Sequence, residues 1–369
     1  MSHFCLLAEP AAYTVSDVDL LTDAAAREYW LKLFADHFAQ VLESAKQAYG
    51  RSFARQLRAA EAQFAETIAA LRADPRCVSG RLGVVELCHL REKALRDNKL
   101  GDPFRPVKQR ENRKAMELYP TVIRKVSALP PEQRWARLIR GAFAGNVFDL
   151  GSAATMGYAQ EQVDFEKVIE QIKPRPWLID DFDSLVDVLP IGGGEPAPWA
   201  RAVVFVDNAG VDFILGVMPL VRELAAHGTQ IVLAANELPS LNDVTADETV
   251  QIIEQLSSAD EELATYVSGA LFEVVSTGNG IPLIDFSDVS DELNEAAADA
   301  DLVVLEGMGR SVESNLNTQF AVDSIQLCLL KDPSVAARVN GEVFDCVCMY
   351  RPVDQELEAD DAAAAEAEQ

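Results

Sequence analysis

AVVFVDNAGVDFILGVMPLVRELAAHGTQIVLAANELPSLNDVT, residues 202–245, places two short apolar runs, Ala202–Val206 and Ile231–Ala234, on either side of a helix-patterned segment, Phe213–Ala226. The same texture continues downstream. Leu271–Val275, Leu302–Leu305, Ile325–Leu330 and Val343–Met349 are apolar runs, and Asp247–Leu256 and Asp291–Ala298 carry helical spacing. Continuously apolar strands that alternate with amphipathic helices predict a parallel sheet covered on both faces. The expected fold class is therefore α/β, a Rossmann-like three-layer α/β/α parallel sheet, over residues 191–352. Pro219 is expected to kink the first of these helices or to shift its effective start, because it lacks an N–H.

Upstream the texture is different. Residues 1–190 predict a helical N-terminal domain, with segments at Ala24–Ala48, Phe53–Leu71, Val84–Arg96, Val107–Leu118, Pro131–Ala144 and Gln160–Ile172. Prolines at 103, 106, 120, 130, 174 and 176 punctuate them, and no strand-like alternation stands out. Gly192-Gly193-Gly194 reads as a linker between the two parts. Residues 353–369 carry an alanine run and, from Asp354 on, seven acidic and no basic residues, the composition of a disordered acidic tail.

The whole chain of 369 residues has a formal net charge of −27, which argues against non-specific binding of nucleic acid while leaving a small phosphate ligand open. No apolar run approaches the roughly 20 residues needed to span a bilayer, and the first residues lack the features of a secretory signal. Six scattered cysteines do not form a disulfide framework and fit a reducing compartment, so the expected location is cytoplasmic. Cys346 and Cys348 should share one face of a strand as core residues. The four histidines fall in or beside helical segments, and no Gly-X-Ser-X-Gly, P-loop or dinucleotide fingerprint follows a strand.

In open α/β sheets, ligands sit beyond the carboxyl ends of the strands. Asp207, Asn208, Ala209 and Gly210 follow the first strand. The loop to Asn242 and Asp243 follows the second. Ser276 to Gly280, with Asn279, follow the third, and Glu306, Gly307, Met308, Gly309 and Arg310 follow the fourth. Asp207, Asn208 and Asp243 offer only oxygen atoms, the donor set for a divalent ion such as Mg²⁺ or Mn²⁺, and such an ion would polarise a phosphoryl oxygen and activate water. Gly210, Asn279, Gly307 and Gly309 are candidates to bring backbone N–H groups close to phosphate. Arg310 and Lys331 are candidates to neutralise charge on a phosphoryl group. Glu306 has two open roles: to orient or deprotonate water, or to hydrogen-bond Arg310. Each of these motifs alone reads as a turn or a helix cap, and their coincidence at one sheet edge is what points to a site.

Residues 205–245 and LVVLEGMGR (Leu302–Arg310), with RGAFAGNVFDLGSA (Arg140–Ala153) and PRPWLIDD (Pro174–Asp181), closely resemble the damage-control phosphatases once filed as domain of unknown function 89. The Glu-Gly-Met-Gly-Arg signature points to the second subfamily, which includes stand-alone plant proteins and the C-terminal domain of a pantothenate kinase paralogue. The resemblance implies a metal-dependent phosphatase that hydrolyses 4'-phosphopantetheine and its oxidatively damaged forms. The implied metal ligands match Asp207, Asn208 and Asp243, and Mn²⁺, Co²⁺, Ni²⁺ or Mg²⁺ is the implied cofactor. It also implies a lysine near the substrate at Lys331, and it draws in Lys108, Arg110, Asn112 and Arg140. Ala209 stands where the family usually has Ser, so a hydroxyl able to bond phosphate or cap a helix is absent. Competing readings are a phosphatase of another small metabolite such as a sugar phosphate, a carboxyl methyltransferase, which would need a glycine-rich adenosine pocket not seen here, and a non-catalytic regulatory domain, which would have no need of all three oxygen ligands.

Overall fold

The computed structural model describes residues 2–78, 80–148, 164–191 and 195–353. The triple glycine, the acidic tail from residue 354, residues 149–153 of one family motif and the start of the helix expected at 160–172 lie outside the described residues. Helices α1 (Ala24–Tyr49), α2 (Ala54–Ala73), α3 (Val84–Asp97), α4 (Arg105–Ser127) and α5 (Pro131–Asn146) match the expected segments within a few residues, except that α4 runs on through Pro120. That proline was expected to punctuate the helix. It removes one backbone donor, while Val122 and Val126 beyond it bury on the same face as Ala115 and Tyr119, so packing carries the helix past the missing bond.

Seven strands form one sheet among the described residues: β1 (Ile179–Asp180), β2 (Arg201–Phe205), β3 (Gln230–Ala235), β4 (Phe272–Ser276), β5 (Leu302–Glu306), β6 (Asp323–Leu329) and β7 (Cys346–Arg351). The order is β1-β7-β6-β5-β2-β3-β4, with every pairing parallel except β6–β7. Two points correct the expectation. The two-residue β1 sits in the region read as wholly helical, and β7 enters antiparallel to β6. The β7 turnaround needs no crossover helix, because residues 330 and 344–345 hydrogen-bond across the base of the connection.

Alternation along β2 shows why both sheet faces are covered. Ala202 and Val204 join a core with Tyr119 of α4 and Trp135 and Phe143 of α5, while Val203 and Phe205 join Phe4, Phe286 and Leu293 on the opposite face. A third cluster packs α1–α3 against Leu241, Leu283, Met308 and Leu330 at the ends of the strands. Packing thus crosses residue 190: α4 and α5 share one core with the sheet, Phe4 contacts Phe205 edge-on at 5.5 Å, and β1 bonds β7. Cys346 and Cys348 are buried, free thiols in the same core. No helix of the described residues is long and apolar enough to cross a membrane.

Candidate active site

The chain leaves β2 toward β3 and β4 on one side of the sheet, and later β5 and β6 extend the other. β2 and β5 therefore flank the point where strand order reverses, the place where open α/β sheets gather ligands. Asp207 lies two residues beyond β2, and Glu306 is the last residue of β5. The loop after β3 folds back to meet them. Asn208 and Asp243 form an antiparallel bridge, with Ala209 N–H donating to Asn242 O (2.9 Å) and Val244 N–H to Asp207 O (3.0 Å). The loop is anchored by a capping box, in which Thr245 and Glu248 satisfy each other's backbone N–H at the start of the helix Ala246–Ser257.

The side chains form one buried network. Arg310 donates from one nitrogen to Asp207 Oδ1 and from the other to Asp243 Oδ2 (2.9 Å) and Asn236 Oδ1 (3.2 Å). Asn236 Nδ2 donates to the same Asp243 oxygen at 2.9 Å. Behind Asp207, Asn146 at the end of α5 donates to Asp207 Oδ2 (3.2 Å), Asp212 Oδ2 (3.1 Å) and Glu306 Oε1 (3.1 Å). Asn208 Nδ2 also donates to Asp207 Oδ2 (2.9 Å) and Asp212 Oδ2 (2.8 Å), and the Asp207 N–H donates to Glu306 Oε2 (3.2 Å). Glu306 therefore sits beneath Asp207, and its hydrogen bonds go to Asn146 and the Asp207 backbone rather than to Arg310.

Burial and crowding of carboxylates decide the electrostatics. Glu306 is pushed well above the usual carboxylate range, first by burial and then by the charges of Asp212 and Asp207, with Lys331 and Arg310 opposing. Asp212 is raised for the same reasons, burial first and Asp207 next. The carboxylates around Arg310, Asp243 foremost, raise its own pKa against the effect of burial. Asp207, Asp212 and Glu306 each bring one oxygen within 4.8 Å of the others, and the buried Oδ1 atoms of Asp212, Asn146 and Asn242 have no hydrogen-bond partner. An all-oxygen set with unsatisfied acceptors and surplus negative charge fits a hard divalent cation.

The remaining expected residues divide by what they touch. Gly307 has φ +92°, and a Cβ there would lie 2.3 Å from Asp207 Oδ2; the glycine exists because the carboxylate occupies that space. Gly309 is pressed against Pro282 O, which a Cβ would approach to 2.6 Å. Gly210 N–H is taken by Asn112 Oδ1 at 2.7 Å, which ties α4 to the turn after β2. Asn279 braces its own loop by donating to Ile281 O (3.0 Å) and accepting from the Gly280 N–H (2.8 Å). Lys331 is buried on the cavity wall. Lys108 bonds Glu248 (2.9 Å), Arg110 pairs with Glu111 (3.0 Å), and Arg140 caps the carbonyls of Ile169 and Ile172.

Above the network opens a cavity of about 640 Å³. Asp207, Asn208 and Asp243 lie on its floor with Lys331 beside them, while Asp212 and Glu306 do not reach its surface. Helix α1 supplies much of the opposite wall.

Comparison with known proteins fits this arrangement. Residues 25–347 match the model of the damage-control phosphatase ARMT1-like domain. The chain belongs to this family. It is 40% identical to a damage-control phosphatase of Arabidopsis thaliana over 79% of this chain and 78% of that protein. It is 37% identical to pantothenate kinase 2 of the same plant and 30% identical to the 4'-phosphopantetheine phosphatase of Mus musculus, covering 95% and 94% of this chain. The chain spans 42% and 48% of the lengths of those two relatives. A DUF89 family protein of Pyrococcus horikoshii has the same fold, with a TM-score of 0.62 at 20% identity over 87% of this chain and 97% of the other.

Within this family member, sequence reasoning singled out the front of the site and missed its back. Asn146, Asp212 and Asn236 do not stand out in the sequence, although all three lie inside the motifs that carry the resemblance. Asp212 follows Asp207 by five residues, a spacing that would face it away on a regular helix. The i→i−5 bond from Phe213 N–H to Asn208 O (3.1 Å) widens the turn that holds Asp212 and brings it under Asp207 instead; the π-type turn continues over Asp212–Val217, and the α-helix proper, with Pro219 in its first turn, begins at Met218.

Proposed function

We propose that this chain is a divalent-metal-dependent phosphomonoesterase that hydrolyses 4'-phosphopantetheine and its oxidatively damaged forms. The observation that carries the reading is that Asp207, Asn208 and Asp243, the three oxygen donors at the sheet's switch point, form the floor of a cavity large enough for a metabolite. Family membership supports phosphatase chemistry, and the name of the mouse relative supports the specific ester.

Asp207, Asn208 and Asp243 would hold the ion, because they face the cavity while Asp212 and Glu306 lie beneath it. A bound Mn²⁺, Mg²⁺, Co²⁺ or Ni²⁺ supplies a Lewis acid for a phosphoryl oxygen and lowers the pKa of bound water. The chain does the rest. Asn146 and Asn208 fix the Asp207 carboxylate in one rotamer, and Gly307 leaves it room. Lys331 places positive charge on the cavity wall beside the phosphate position, where charge develops during displacement, and Arg310, behind the lining, holds Asp207 and Asp243 in place. Burial under helices α1 and α3 excludes bulk water and strengthens each of these interactions.

The test is phosphate release from 4'-phosphopantetheine after chelation and after addition of Mn²⁺. Activity should require the metal and fall at least ~10²-fold in Asp243→Ala, the scale of losing one electrostatic stabiliser. Undiminished hydrolysis by that variant would refute the assignment. A second ligand set has an observation of its own, since Asp207, Asp212 and Glu306 lie closest together. Loss of a Mn²⁺-induced melting shift in Asp212→Asn but not in Asp243→Asn would move the ion to that deeper set.

A further inference from the structure

Helix α4 buries one stripe along its length, and the stripe changes chemistry on the way. Ala115, Tyr119, Val122 and Val126 pack into the core shared with the sheet. Toward the start of the helix the same spacing brings Asn112 and then Lys108, where α4 passes over the loops beyond β2 and β3. Each side chain takes hold of one of the two loops that supply the oxygen donors. Asn112 accepts from the Gly210 N–H in the turn after Asp207. Lys108 reaches further in: its Nζ lies 3.5 Å from the carbonyl oxygen of Asp243 itself.

Burying an ammonium there is costly. Lys108 is 2% exposed, and Lys331 is the only other buried lysine among the described residues. Two carboxylates offset the cost, Glu248 at 2.9 Å and Asp102 at 3.4 Å. Glu248 is also the side chain that accepts the Thr245 N–H, at 3.1 Å, in the capping box. The lysine therefore meets the loop twice, at the Asp243 carbonyl and through the cap. The Asp243 carboxylate turns the other way, to Asn236 and Arg310 and onto the cavity floor. Lys108 is not part of the cavity lining, so its part is not to touch a ligand. An apolar residue at this position would continue the stripe without the cost of a buried charge, and what the charge adds is a grip on the Asp243 loop.

We propose that Lys108 is a positioning residue of the metal site. From behind the loop it fixes the backbone of Asp243, and with it the direction in which the carboxylate joins Asp207 and Asn208 on the cavity floor. The proposal rests on the reading of those three residues as the metal ligands. Because Glu248 and Asp102 balance the ammonium, its removal takes away an anchor rather than a repelling charge, and metal affinity falls instead of rising.

The test is calorimetric titration of the metal-free full chain with Mn²⁺. Lys108→Met keeps the aliphatic stem and removes the charge. Its dissociation constant for Mn²⁺ should rise about ten-fold, the lower end of what losing a residue that orients a metal ligand costs. It should also melt lower, since Glu248 and Asp102 lose their counter-charge. The double variant, Lys108→Met with Glu248→Gln, separates the two effects. The glutamine relieves the unpaired charge and still accepts from the Thr245 N–H. The double variant should therefore melt closer to the wild type than Lys108→Met does, yet bind Mn²⁺ as weakly. Affinity that returns together with the melting temperature would overturn the positioning role, leaving a lysine that only balances charge. Binding of Mn²⁺ by Lys108→Met as tight as by the wild type, or tighter, would overturn it outright. If Lys108→Met does not fold, the double variant read against Glu248→Gln alone makes the same comparison: a gap of the same size supports the proposal, and no gap sinks it. A wild type that takes up no Mn²⁺ would overturn the metal reading and the proposal with it, whereas the other failures touch Lys108 alone.

Discussion

β2 and β5 end in the same local device and use it for opposite purposes. Each strand delivers an acidic residue, then a glycine with positive φ (Gly210 at +81°, Gly307 at +92°), then a wide π-type turn. After β2 the turn tucks an acid, Asp212, beneath Asp207 and seals it in the core. After β5 the turn swings a base, Arg310, across Asp207 and Asp243 and leaves Glu313 on the cavity wall. Side-chain placement in a π-type turn departs from helical spacing. Two short turns of this kind therefore let neighbouring strands surround Asp207 with a second acid and a guanidinium. One turn braces the carboxylate from the core side, and the other balances its charge.

The comparison is broken most severely at Arg310. Arg310→Ala leaves buried carboxylates uncompensated and should cost about 3–5 kcal/mol of stability in metal-free protein. Added Mn²⁺ should recover much of the lost melting temperature, and a variant that melts like the wild type without metal would show that Arg310 is not what balances the site. The glycines should respond unequally. Gly307→Ala drives a methyl into Asp207 itself and should lower kcat by about 10²-fold. Gly210→Ala meets only Glu111 Cβ, at 2.9 Å on α4, and should lower kcat less while still costing stability. Equal kinetic losses would remove the asymmetry between the two turns.

Glu313 sharpens the comparison through pH. The folded protein keeps a proton on Glu313 up to about 8, whereas the unfolded chain releases it near the ordinary value of 4.5. Its contribution to stability is therefore complete below 4.5 and is lost as pH rises through 8. Glu313→Gln, which stays neutral, should flatten the decline in melting temperature between pH 6 and 9 by a few degrees, on the scale of about 2–4 °C per kcal/mol. An unchanged slope in differential scanning calorimetry would mean the carboxyl is not held neutral. The smallest effect is expected from Asn112→Ala, which frees the Gly210 N–H at the other turn. It should cost about 1 kcal/mol of stability with little change in kcat.

These turns also mark where the sequence stopped being legible. Strands β2 to β6 and the long helices follow from apolar runs and helical spacing, because a buried parallel sheet has a strong signal. Asp207 and Asn208 stood out as candidates because they directly follow such a run, and Asp243 because it ends the loop that follows the next one. Asp212 was hidden because its placement depends on a turn wider than an α-helix, and Asn146 because α5 precedes Asp207 by 61 residues and meets it only through tertiary packing. Asn279 and Gly210 look like ligand-binding positions in sequence, yet their hydrogen bonds hold a loop and a helix junction. The antiparallel entry of β7 leaves no trace in composition, since a buried strand is equally apolar in either direction.

The Tyr29–Asp332 hydrogen bond joins α1 to the segment after β6 at the rim of the cavity. The two segments also share one apolar cluster, in which Trp30 and Leu31 lie with Leu330, Val335 and Ala336. Loosening α1 would therefore unpack the mouth of the cavity and the segment after β6 together, while Asp207 stayed tied to the Asp243 loop through the Val244 N–H. Warmth would reshape the entrance before it disturbed the carboxylates.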